Sequence, residues 1–112
     1  MIKEFVYTSK FDREWKKLGL NDDDLRPLEL YLLMHPDAGV LMEGTGGIRK
    51  MRWALSNRGK SGGIRVLYID LIISEKICMF DLFTKVEKEN LSQSERKALK
   101  RIVKIIEDEF KV

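Results

Sequence analysis

Residues Gly44–Lys85 read GTGGIRKMRWALSNRGKSGGIRVLYIDLIISEKICMFDLFTK. From Gly47 onward apolar and polar residues recur with period two, which predicts strands over Ile48–Ala54, Gly63–Ile72 and Lys76–Lys85. A Gly/Lys/Asn-rich loop joins the first pair and a tight turn at Ser74-Glu75 joins the second. Three strands this close in sequence pair most simply as an antiparallel meander.

Outside this stretch the period lengthens. Ile2–Tyr7 is β-branched and aromatic and reads as a further strand. In the following segment Ser9 can cap a helix with Asp12 three residues on, Phe11, Trp15 and Leu18 share one face, and Gly19 stops it. Asn21–Asp24 opens a second helix with Leu25, Leu28, Leu32 and Tyr31 on one side, its carboxylates favoured by the positive end of the helix dipole. Pro27 belongs in a first turn, which moves the expected start toward Asp24, and His35-Pro36 ends the helix. Ser92-Gln93-Ser94-Glu95 is a capping box for a last helix with an apolar stripe of Leu99, Ile102, Val103, Ile106 and Phe110. The order is β-α-α-β-β-β-α, an α+β class in which the first two helices form a hairpin covering one face of a small antiparallel sheet.

The 112 residues hold one domain, 1–112, with one modest core. With 44% apolar and 35% charged residues the chain has the composition of a soluble globular protein. The N-terminal residues are charged too often for a signal peptide, and the longest apolar runs are too short to span a bilayer, so no membrane partner is expected. A single cysteine, Cys78, allows no internal disulfide. These features indicate a cytoplasmic protein.

The charge is unevenly placed. Gly44–Ile69 carries Arg49, Lys50, Arg52, Arg58, Lys60 and Arg65 and no acidic residue, a window of +6 in a chain whose net charge is +3, so the remaining 86 residues sum to −3. Alternation puts Lys50, Arg52, Arg65, Phe83 and Lys85 on one sheet face if Met51, Val66, Tyr68, Phe80 and Leu82 form the helix-covered core. Arg49 then points the other way, Arg58 and Lys60 lie in the loop, and Lys88 follows the last strand. Cations beside an aromatic ring on an open sheet suit a phosphodiester chain and its bases.

Other motifs carry less. Ala54–Ser61 resembles a permissive P-loop, yet Gly62-Gly63 and a strand follow it, so no helix N-terminus is available for phosphate. Gly44–Arg49 lacks the last glycine of a dinucleotide fingerprint. His35 is the only histidine, which removes paired-histidine ribonuclease chemistry and multi-histidine metal sites. Helix-start charge accounts for Asp22–Asp24, and Cys78 reads as a small core residue. Neither a metal nor another cofactor is expected.

Taken together, the N-terminal strand and helical pair, GTGGIRKMR, GKSGGIRVLY and LFTKVEKENLS resemble the RelE/ParE superfamily of toxins from type II toxin–antitoxin modules, its HigB-type members in particular. The resemblance covers essentially the whole chain. It implies the RelE-like fold and, for HigB- and RelE-type members, a ribosome-dependent endoribonuclease that cuts mRNA. It also implies a monomeric toxin restrained by a cognate antitoxin, here expected to be a helix-turn-helix protein. Arg65 matches the family's Arg-Val-x-Tyr arginine, Lys50 and Arg52 the basic positions of the preceding strand, and Phe83 with Lys85 an aromatic-x-Lys pair. Many relatives have tyrosine at the aromatic position; phenylalanine stacks but exchanges no proton.

A metal-free mechanism has the ribose 2′-OH attack the adjacent phosphate. Arg52 and Arg65 suit stabilisation of the phosphorane, because an arginine stays charged. Lys50 and Lys85 are the candidates for proton transfer. Arg49, Arg58, Lys60 and Lys88 fit RNA or ribosome binding. Two alternatives stand beside this: a ParE-like inhibitor of DNA gyrase, and a non-catalytic RNA-binding module using the same basic face.

Overall fold

The computed structural model describes residues 3–55, 63–84 and 90–110. Its elements are β1 (Glu4–Tyr7), α1 (Ser9–Lys17), α2 (Asp22–Met34), β2 (Val40–Leu41), β3 (Arg49–Trp53), β4 (Ile64–Leu71), β5 (Lys76–Thr84) and α3 (Gln93–Glu109). One sheet has the strand order β1-β5-β4-β3-β2, antiparallel throughout except for β1, which runs parallel to β5. The expected α+β layout is borne out, and the two-residue β2, too short for any periodicity, is added at the edge.

Local chemistry explains the helix ends. Thr8, not Ser9, caps α1: its hydroxyl accepts from the Phe11 N–H at 3.0 Å and its backbone is extended. At the other end Gly19, with φ +74°, lets its N–H reach Lys16 O while the Leu20 N–H reaches Trp15 O. That pair of bonds is a Schellman motif, and the buried Leu20 and Trp15 make its apolar contact. α2 starts at Asp22 rather than near Asp24, because Asn21 and Asp24 form a reciprocal capping box. Pro27 therefore lies inside the helix. The carbonyl it leaves without a helical donor is that of Asp23, which is exposed and within reach of solvent. The Ser92–Glu95 box of α3 forms as expected.

The two sheet faces carry separate cores. α1 and α2 cover one, packing Phe11, Trp15, Leu28 and Leu32 on Met51, Ile64, Val66, Tyr68, Ile77, Met79 and Leu82. On the opposite face Val103 of α3, flanked by Leu99, Ile106 and Phe110, packs with Ile48, Leu67, Ile69, Cys78, Phe80 and Phe83. Each fully buried aliphatic or aromatic side chain contributes about 1.5–3 kcal/mol.

Strict alternation fails in β5. Leu67 pairs with Asp81 but Tyr68 pairs with Met79, so Phe80 is an extra residue, a β-bulge. Met79 therefore belongs to the hairpin core and Phe80 to the α3 side, the reverse of the assignment made from period two. The Thr8 hydroxyl that caps α1 donates to Phe80 O at 2.6 Å, joining helix start and bulge.

Buried Tyr68 anchors the connection from α2 to β2. Its hydroxyl accepts from the Gly39 N–H and donates to Pro36 O, both at 2.9 Å. Tyr68→Phe strands a buried backbone N–H, and urea denaturation is expected to show a loss of about 1–3 kcal/mol. Burial pushes the Cys78 thiol up to about 11. The unfolded thiol ionises first, so this share of stability is intact below about pH 9 and is lost as pH rises toward 11, a loss that Cys78→Val removes. At pH 8 the native thiol should react with a chromogenic disulfide at least about a hundredfold more slowly than in urea.

Candidate functional site

The register of β3, β4 and β5 sets the basic side chains in rows. Arg52 lies directly opposite Arg65, which lies opposite Phe83. One row along, Lys50 faces Leu67, which faces Asp81. Directly opposed side chains have Cβ atoms about 4.5–5.5 Å apart, so the two guanidinium groups are neighbours on one face. The bulge is required for this: without the extra Phe80, the parity of Met79 would carry through and turn Phe83 toward the hairpin core.

Gly63 admits β4 at this end. Its φ is +71°, and a Cβ there would fall 2.1 Å from the Trp53 carbonyl oxygen, so any side chain would push β4 off β3 beside the Arg52–Arg65 pair.

The face is less open than alternation alone implies. α3 packs on part of it through Val103, in one cluster with Phe83. Arg65 is only 5% exposed and Phe83 only 9%, whereas Arg52 is exposed and Lys50 half-buried. Phe83 packs in the α3-side cluster with Leu67 and Phe80, partly covered by Leu91. It forms the floor of the site rather than an exposed stacking surface. Arg49 lies on the opposite face, and its Nη1 donates to Gly39 O at 2.7 Å and Asp37 O at 3.4 Å, tying down the loop before β2. Lys85, Arg58, Lys60 and Lys88 lie outside the described residues.

Sequence reasoning passed over two features here. Asp81 brings a carboxylate to the Lys50 row, held by Lys10 Nζ at 2.6 Å and by the Leu82 N–H at 2.7 Å. Lys10 comes from α1, and its reach to β5 has no signal in a linear pattern. The other is α3, which carries Arg96, Lys97, Lys100, Arg101 and Lys104 toward its start and Glu107, Asp108 and Glu109 at its end. Those charges oppose the helix dipole, which favours acids first and bases last. This polarity was visible in the sequence. Arg96 also binds Glu43 O at 2.8 Å, fixing α3 to the loop before β3.

Among the described residues no three His, Cys, Asp or Glu side chains converge on one point. Nor is any helix among them long and apolar enough to cross a membrane.

Opposed arginines repel, and a bound oxyanion relieves that repulsion. Arg52→Gln is therefore expected to leave thermal stability unchanged or to raise it by about 0.5 kcal/mol. Inorganic phosphate should raise the melting temperature of the original protein more than that of the variant, as differential scanning fluorimetry can show.

A sequence model of the RelE toxin of the RelE/RelB toxin–antitoxin system matches residues 4–110. Among solved structures, a double-alanine variant of the E. coli toxin RelE in the free state superimposes with a TM-score of 0.60. The match covers 91% of this chain and 99% of that one, at 19% identity, so the likeness is one of fold. With nearly every described element inside the matched span, the chain belongs to the RelE toxin family of toxin–antitoxin systems.

Proposed function

We propose that this toxin is a HigB-like endoribonuclease that cuts mRNA on the ribosome and is restrained by a cognate antitoxin. The observation that carries the reading is the row Arg52–Arg65–Phe83: two adjacent cations, one at the surface and one beneath it, backed by an apolar floor. Cleavage needs a charge-stabilising site for the phosphorane formed when the 2′-OH attacks. Arg52 meets the phosphate at the surface. Arg65 acts from a low-dielectric setting in which its field is weakly screened. Removing one such donor typically costs a factor of about 10²–10³.

Proton transfer falls to lysine in this reading, since Phe83 has no proton to exchange. Lys50 stands one row away, and Lys85 is assigned the role by its place in the aromatic-x-Lys pair. General acid–base catalysis of this kind supplies roughly 10²–10⁴-fold, and the ribosome would add the positioning of the message. Lys10, Arg96 and the other cations of α3 widen the basic surface that a large RNA assembly meets.

Arg65→Ala and Lys85→Ala are each expected to abolish growth inhibition while circular dichroism shows a folded protein. Mapping mRNA 5′ ends after induction should show cuts within codons that vanish when translation is blocked. Two folded variants that remain fully toxic overturn the site assignment. Intact message with an SOS response assigns the toxin to gyrase instead, and RNA binding without cleavage in a translating extract leaves only a binding module.

A further inference from the structure

A cluster of rings stands at the outer edge of β3. The Tyr31 ring lies 4.7 Å from the His35 ring and 5.5 Å from the Trp53 ring, centroid to centroid. Tyr31 is 40% exposed, His35 is exposed and Trp53 half-buried, so this ladder lies at the rim of the hairpin core, against which Trp53 packs. β2 pairs only with Arg49 and Lys50, and among the described residues no strand borders the outer edge of Met51–Trp53. Arg52 and Trp53 are consecutive, so their side chains leave β3 on opposite faces of the same unbordered edge. A chain bound to Arg52 can turn that edge and meet the rings.

The geometry points to a nucleobase-stacking platform made by Tyr31, His35 and Trp53, which takes bases of single-stranded RNA flanking the phosphate held at Arg52. This deepens the nuclease reading and rests on it. Three features favour RNA over an apolar partner. The rings are aromatic and amphipathic rather than aliphatic; Trp53 directly follows the exposed Arg52 in β3; and Trp53 belongs to the stretch Gly44–Ile69, which lacks any acid. A cation for the backbone with rings for the bases is the combination that single-strand binding uses, and it is tolerant of sequence.

The test uses a fluorescein-labelled 2′-O-methyl RNA hexamer, which cannot be cleaved by 2′-OH attack, and an abasic phosphodiester hexamer of equal charge. Anisotropy with the full chain is expected to show roughly tenfold tighter binding of the base-bearing oligomer. Tyr31→Leu, which keeps apolar bulk but removes the ring, should weaken the base-bearing hexamer roughly five- to tenfold and leave the abasic one unchanged. His35→Ala should act in the same direction. Equal affinity of the original protein for both oligomers, or unchanged binding by folded Tyr31→Leu, overturns the platform. Failure of the nuclease reading is read separately, as intact message in translating cells that express the original protein.

Discussion

The hydrogen bond from Thr8 to the carbonyl of Phe80 marks the point on which the site depends. One hydroxyl serves two purposes there, accepting the Phe11 N–H that opens α1 and donating to the bulged residue of β5. The bulge inserts one residue opposite Leu67 and Tyr68, and every side chain beyond it changes face. Leu82 thereby fills the hairpin core while Phe83 joins Arg65. Hairpin packing and the composition of the basic row are thus coupled through one irregularity in pairing.

Around that point the structure spends some stability on charge placement. Two arginines oppose each other across β3 and β4, and Arg65 is held at 5% exposure, where an ion loses most of its hydration. Glu107, Asp108 and Glu109 sit at the end of α3 that disfavours acids. The proposed binding of a polyanion accounts for such an arrangement, which folding alone does not favour. The cores on the two faces supply the compensating stability, and neither depends on a charged side chain for its packing.

The same division separates residues engaged within the fold from residues left at the surface. Arg49 and Arg52 are three apart on β3 and lie on opposite faces. Arg49 is engaged with the carbonyls of Asp37 and Gly39, while Arg52 is exposed. Tyr68 and Tyr31 divide likewise. Tyr68 is fully buried and bonded at its hydroxyl to the loop that Arg49 also grips, whereas Tyr31 keeps part of its ring at the surface.

Much of this was legible from residue order alone. Period-two alternation located β3, β4 and β5, capping boxes and glycines bounded the helices, and the acid-free window pointed to the strands that carry the basic row. These are local signals, each complete within a few residues of chain. The helix-start assignments that missed, at Ser9 and near Asp24, did so because neighbouring residues offer competing caps and only the actual backbone conformation chooses between them. Tertiary structure alone decided the rest. No pattern within β5 announces the bulge, since Phe80 and Met79 are equally apolar and their faces follow from pairing with β4 and from the Thr8 bond. Nor does the α3 stripe say that it will pack in one cluster with Phe83, because burial depends on which long-range partner is present. Sequence by itself therefore determined the elements and the charge that they carry, while packing between distant segments decided which of those charges is exposed, which is sealed and which ring lies beneath them.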